Sequence, residues 1–127
     1  MTYLAIALGG AMGAVLRALM INGVTRFLPA QSLIFPWGTF VVNVLGSSLM
    51  GVVFVLAVER GALSETQRAF VMIGMLGAFT TFSTFSMDAI SLIQQNALWQ
   101  AGSYLLASVL VCLLGPWLGM ALTRAVT

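Results

Sequence analysis

Four long apolar segments, separated by short polar turns, constrain this chain more than any other feature of its sequence. They cover about residues 3–22, 38–58, 65–94 and 98–122. Each is long enough to cross a bilayer as a helix, which takes about 20 residues. Since hydrocarbon offers the backbone no hydrogen-bond partners, such segments span it as helices. The sequence therefore predicts an all-α membrane protein with four transmembrane helices in one integral membrane domain, residues 1–127.

The small number of charges excludes several classes of function. The chain is 61% hydrophobic and 6% charged, with five basic and three acidic residues. A net charge of +2 is too small to indicate a nucleic-acid-binding surface. With one cysteine and no histidine, a side-chain metal cluster is not expected, and no nucleophile–base pair or phosphate loop suggests an enzyme. We expect a multi-pass protein of the cell (inner or plasma) membrane, in contact with lipid and without a nucleic-acid partner.

The third segment carries an unusual stretch, from Gly77 to Ser86. It holds five hydroxyl side chains and three phenyl rings in ten residues. In hydrocarbon an unpaired polar group costs several kcal/mol, so these hydroxyls must face protein, water or an ion. At ~1.5 Å per residue the segment is also long for one straight crossing, and the β-branched pair Thr80-Thr81 weakens a helix. We predict a broken helix, interrupted mid-membrane near residues 77–80.

Two further segments have polar stripes at four-residue spacing, which lies on one face of a helix. The members are Thr39, Asn43 and Ser47 on the second segment and Tyr104, Ser108 and Cys112 on the fourth. Such a stripe can hold helices together by hydrogen bonds or can line a path. From the second-segment stripe alone, the first role is the better interpretation.

Glycine spacing and capping residues indicate how the helices pack and start. Gly9 and Gly13 have the GxxxG spacing that lets another helix approach closely. Ser64 and Gln67 have the spacing of a capping box, which predicts that the third helix begins near Glu65. Pro116 should kink or loosen the fourth helix.

Four helices are too few to enclose a pore comfortably, so we expect an oligomer. Four crossings put both termini on one side, where Arg60, Arg68 and Arg124 also lie, against Arg26 on the other. This positive-inside bias is small and specifies orientation weakly. A chain that inserts both ways could pair with an inverted copy of itself, as inverted repeats do in larger transporters.

The polar groups available to a transported ion are hydroxyls, one amide, arginines and phenyl edges. Hydroxyl and amide groups donate hydrogen bonds to anions, and the positive rim of a phenyl ring can face an anion edge-on. A small, strongly hydrated anion would need such short-range replacements for its water.

The stretch ending Thr-Thr-Phe-Ser-Thr-Phe-Ser resembles the signature of the CrcB/Fluc fluoride channels. The resemblance extends to Gly9-Gly10 through Arg17 and to Gly38-Thr39 through Asn43, and it covers essentially the whole chain. It implies an antiparallel, dual-topology homodimer with two fluoride pathways that exports fluoride passively from the cytoplasm. It also implies a structural sodium ion on the dimer axis.

The resemblance assigns roles to individual residues. Phe82 and Phe85 would supply ring edges along the pathway, and Asn43 would donate to fluoride. The hydroxyl groups would come from the third and fourth spans, at Ser83, Thr84, Tyr104 and Ser108. Arg17 would make the vestibule electropositive, and the carbonyl oxygens of Gly77 and Thr80 would hold the sodium ion.

Three positions depart from the expected family pattern. Asp88 stands where a glutamate is expected, so its shorter side chain reaches less far. Cys112 and Pro116 occupy positions where polar residues are expected, which would shorten the polar track on the fourth span.

Two alternatives remain from the residues themselves. A small multidrug exporter also has four spans and a dimeric state, but it should carry a carboxylate in its first span, where this chain has Arg17. A non-transporting assembly subunit would explain the polar stripes and GxxxG spacings as contacts between helices. Fluoride efflux from liposomes distinguishes all three.

Overall fold

The computed structural model describes all 127 residues, and its regular structure is entirely helical. Helix α1 is Thr2–Phe27, and a short 3₁₀ turn, Ala30–Ile34, follows it. Helix α2 is Trp37–Glu59 and ends in a π-helical turn, Val55–Glu59. Helix α3 covers residues 65–79 and is π-helical over Ala69–Leu76, α4 is Phe82–Gln94, and α5 is Leu98–Val126.

Four helical segments are long and apolar enough to cross a membrane. They are Thr2–Phe27, Trp37–Glu59, Glu65–Gln94 and Leu98–Val126, of which the third comprises α3 and α4. Only 23 of the 127 residues are buried, and large apolar side chains cover the outside of the bundle. That distribution suits a chain whose surroundings are lipid rather than water, since exposed apolar surface is not penalised there. The prediction of an all-helical, four-span membrane chain is confirmed.

Helix α1 packs against α3 through glycines, as its GxxxG spacing predicts. A Cβ atom at Gly9 would collide with the carbonyl oxygen of Phe70, and one at Gly13 with that of Met75. On the facing helix, a Cβ at Gly74 would lie 2.7 Å from the carbonyl oxygen of Ile6. Because the two backbones touch, no larger side chain fits at these positions.

Helix α2 packs against α5 in the same manner. A Cβ atom at Gly51 would overlap the carbonyl of Pro116, and one at Gly119 would lie 2.6 Å from the carbonyl oxygen of Ser48. Helix α5 continues through Pro116 to Val126. The proline therefore lies at a close helix contact and does not end the helix.

The helix ends follow from local sequence. The capping box predicted at Ser64 is confirmed, since its Oγ accepts from the N–H of Gln67 and the Gln67 side chain accepts from the N–H of Ser64. Helix α1 runs on to Phe27, beyond the end expected near residue 22. Between α4 and α5 the chain turns at Asn96, which adopts a left-handed backbone with φ of 56°.

The main buried cluster joins α4 to α5. It consists of Phe85, Ala89, Leu92, Ala101 and Tyr104. Phe35, from the segment before α2, packs against this cluster. The cluster fixes the rotation of α4, and with it the direction in which the polar side chains of α4 point.

Candidate functional site

The site is organised by the two residues between α3 and α4. Thr80 has φ −80° and ψ 157°, and Thr81 has φ −152° and ψ 114°, both extended. Thr81 is the N-cap of α4, because its hydroxyl accepts from the N–H of Thr84 at 3.1 Å. Thr80 instead donates its hydroxyl to the Leu76 carbonyl, 3.1 Å away.

Asn43 on α2 pairs with the backbone of Thr81 through two hydrogen bonds. The Thr81 N–H donates to Oδ1 of Asn43 at 2.7 Å, and Nδ2 of Asn43 donates to the Thr81 carbonyl at 3.0 Å. The amide side chain thus replaces the partners that a continuous helix would supply. One N–H of the Asn43 amide remains, because an NH₂ group has two donors.

This pairing also frees a carbonyl oxygen of α3. In a continuous helix the N–H of Thr81 would donate to the carbonyl of Gly77, but here it donates to Asn43. The carbonyl of Thr80, which also lies at the interruption, accepts a long hydrogen bond of 3.4 Å from Nη1 of Arg17. Carbonyl oxygens therefore lie at the interruption with weak or no backbone partners.

Arg17 is partly buried on α1 and points to the interruption. Its guanidinium has no carboxylate partner, since the single ion pair of the chain joins Arg124 to Glu59. A guanidinium inside a membrane span is costly unless carbonyl oxygens, water or an anion compensate its charge, and here the Thr80 carbonyl does so in part.

A cavity of about 230 Å³ adjoins the interruption. Its lining combines α2, the Thr80–Thr81 pair, α4 and α5, and the residues are Asn43, Ser47, Thr80, Thr81, Phe82, Phe85, Ser108, Val109 and Cys112. Four of the predicted pathway residues meet here, namely Asn43, Phe82, Phe85 and Ser108. The other three, Ser83, Thr84 and Tyr104, do not line it.

Ser108 contributes an unusual group to this cavity. The residue is only 5% exposed, and its hydroxyl has no hydrogen-bond partner. A buried hydroxyl left unpaired costs about 1–3 kcal/mol. No other group of the chain uses this donor, which lies in a residue at the wall of the cavity.

The aromatic rings form a continuous row beside the cavity. Phe82 is 78% exposed and Phe85 only 7%, with ring centroids 5.4 Å apart. The ring of Phe85 lies 5.1 Å from that of Tyr104, whose far side meets Phe35 edge-on at 5.4 Å. Fully buried Tyr104 donates its hydroxyl to Oδ2 of Asp88 at 3.1 Å.

The two predicted hydroxyl residues Ser83 and Thr84 lie in the first turn of α4. The Ser83 hydroxyl is 3.3 Å from that of Thr81 and is exposed on the outside of this single chain. Thr84 is partly buried, and its N–H is the group that Thr81 caps. Their assignment to a fluoride pathway stays a prediction.

Sequence reasoning used Thr81 only as part of the hydroxyl-rich stretch, and it placed Cys112 on the polar stripe of the fourth span without assigning it to the pathway. Thr81 belongs to the cavity and also caps α4. A Thr immediately before the first residue of a helix is the usual N-cap signal, and it could have been found. Cys112 follows Ser108 by four residues, so the helical stripe does place both at the cavity.

Comparison with known proteins identifies the family. The family described as CrcB-like protein, Camphor Resistance (CrcB), matches residues 4–120. The chain belongs to the CrcB family. A relative from Hahella chejuensis, named fluoride-specific ion channel FluC, is 48% identical to this CrcB chain over 95% of the chain and 93% of the relative. One from Rhodopseudomonas palustris with the same name is 42% identical over the full length of both.

A third relative named fluoride-specific ion channel FluC, from Methylococcus capsulatus, is longer. It is 44% identical over 98% of this chain, which spans about half (53%) of the relative's length. The CrcB family consists of ion channels and not of enzymes. With four apolar helices, this chain is a multi-pass membrane protein. Membership of the CrcB family does not support the interpretation of the chain as a small multidrug exporter.

Proposed function

We propose that this chain forms a passive, fluoride-selective ion channel that exports fluoride from the cytoplasm. The relatives' shared name supports fluoride as the ion. The observation that carries the proposal for this chain is the cavity at the interruption, which is lined by Ser108, with its unpaired hydroxyl, and by Phe85.

The donors of the cavity suit a small anion. The free N–H of Asn43 and the hydroxyl of Ser108 would replace water around fluoride, and the rings of Phe82 and Phe85 would offer their positive rims. Ser83, Thr84 and Tyr104 would continue the pathway with further hydroxyls. Larger anions lose their water more easily than fluoride, but they need more space between the donors. Closely spaced donors and rings therefore favour fluoride, the smallest of these anions.

Export follows from the membrane potential. A cytoplasm-negative potential drives anions outward by about 2.3 kcal/mol per elementary charge and 100 mV. Arg17, without a carboxylate partner, would make the entrance electropositive and attract the anion. No energy source is needed for such a flux, which is why we propose a channel and not a pump.

We further propose an antiparallel homodimer with two pathways. Phe82 and Ser83 are exposed on the single chain, and the Ser83 hydroxyl has only the Thr81 hydroxyl as a partner. An apolar groove of about 750 Å³ between α1, α2 and α3 ends at Phe79, next to the interruption, and offers further surface to a second copy. Dual topology is supported by the weak arginine bias between the two sides of the membrane.

The proposed sodium ion would lie on the axis of this dimer, where the α3–α4 interruption would cross mid-membrane. Its ligands would be the carbonyl oxygens of Gly77 and Thr80 from both copies. The donor chemistry fits, because the Gly77 carbonyl has lost its helical donor and hard cations prefer oxygen ligands. The long bond from Arg17 leaves the Thr80 carbonyl a second lone pair. Bound there, the ion would hold the two broken helices together.

Fluoride efflux from liposomes containing the purified chain tests the proposal. We expect passive fluoride efflux that follows the fluoride gradient and the membrane potential, and we expect chloride efflux to be much slower. Phe85→Ile should reduce the flux by roughly tenfold or more, since it removes a ring edge from the pathway. Absence of fluoride efflux from the unaltered chain, or equal rates for fluoride and organic cations, would refute the proposal.

A further inference from the structure

Cys112 is the only cysteine of the chain, and it lines the cavity at the interruption. It is partly buried on α5, one helical turn from Ser108 and on the same face. Asn43, Ser47 and Thr80 line the same cavity. An aliphatic residue could fill the space of the thiol but would not place a nucleophile there.

The unpaired hydroxyl of Ser108 is an independent indication that this cavity takes a ligand. It is shielded from solvent and has no hydrogen-bond partner. A group attached to the Cys112 sulfur would extend into the space of about 230 Å³ that both residues line. It would occupy the position from which a small anion could reach that hydroxyl.

We propose that Cys112 is a covalent modification site, which takes a small, uncharged sulfur electrophile and closes the fluoride pathway. This inference rests on the proposed function. The thiol gives its proton to water, and the resulting thiolate attacks the sulfenyl sulfur of a thiosulfonate. A new S–S bond forms to Cys112, the S–S bond of the reagent breaks, and the sulfinate leaves with its electron pair. An uncharged reagent is required because the thiol lies within a membrane-spanning helix.

The experiment uses the full chain in liposomes and methyl methanethiosulfonate as the probe. Fluoride efflux is measured before and after treatment, and intact-protein mass spectrometry reports whether one methylthio group has been added. Treated and untreated flux are compared within each protein, for the unaltered chain and for Cys112→Ser. We expect addition of one group and a roughly tenfold or greater loss of flux in the unaltered chain, a loss that a thiol reductant reverses. The Cys112→Ser variant should show neither change.

The outcomes separate the two proposals. A labelled chain with undiminished flux would overturn the inference but leave the fluoride channel intact. An unlabelled chain, or equal inhibition of Cys112→Ser, would overturn it as well. Absence of fluoride flux before any treatment would overturn the proposed function, and the blocking role with it.

Discussion

The pairing of Asn43 with Thr81 makes a quantitative prediction about stability. Asn43→Ala removes two hydrogen bonds to the Thr81 peptide groups, which are 2.7 and 3.0 Å long. The buried Thr81 N–H is left unpaired, which costs about 1–3 kcal/mol, whereas the Thr81 carbonyl keeps the helical N–H that an N-cap residue accepts. We therefore expect the free energy of unfolding to fall by about 1–3 kcal/mol, less where water from the adjacent cavity reaches the N–H.

Reversible unfolding in mixed detergent micelles measures this free energy. Ser48→Ala is the matched control, because Ser48 lies on the same helix and its hydroxyl donates only to the Val44 carbonyl of that helix, at 2.7 Å. Removing it leaves no backbone group unpaired, since the Val44 carbonyl keeps its helical donor. If Asn43→Ala proved no less stable than Ser48→Ala, Asn43 would not be holding the interruption, and its role would be confined to the ion path.

Three further predictions concern packing, the cavity and sodium. Gly13→Ala should destabilise the chain by about 1–3 kcal/mol because its methyl group would overlap the Met75 carbonyl. Gly10→Ala, whose Cβ meets nothing within 4 Å, should leave the free energy of unfolding unchanged. If Gly10→Ala and Gly13→Ala were equally destabilising, the described packing of α1 against α3 would be contradicted. Ser108→Ala should lower fluoride flux in liposomes while leaving unfolding stability equal or higher, because it removes an unpaired buried hydroxyl; a loss of stability would show that the hydroxyl is bonded. Replacing sodium by an organic cation should reduce both the fluoride flux and the amount of dimer that a cross-linker captures. If neither quantity changed, the proposed sodium site at Gly77 would be refuted.

Much of the fold was predictable because it depends on local or periodic properties of the chain. Segment length and hydropathy specify four spans, since hydrocarbon leaves the backbone no other partners. The capping box at Ser64 is local over four residues, and the glycine spacing of α1 is periodic over one helical turn. Each of these features depends only on residues close in sequence.

The candidate site was predictable only in its members. The helical stripes indicate that Ser108 and Cys112 share a face, and the hydroxyl-rich stretch marks where the third span changes. Nothing local distinguishes Phe85, which is buried against Tyr104, from Phe82, which is exposed. That difference depends on how α4 is rotated against α5.

The sequence by itself determined that this is a four-span helical membrane chain with an unusually polar third segment. Tertiary structure alone decided that Asn43 bonds the Thr81 backbone across 38 residues of chain, and that the Ser108 hydroxyl is left without a partner. The physical reason is that hydropathy and helical period act along the chain, whereas a buried hydrogen bond depends on which groups reach one another in space. The packing of α2 against the interruption is what brings the Asn43 amide within reach of the Thr81 backbone.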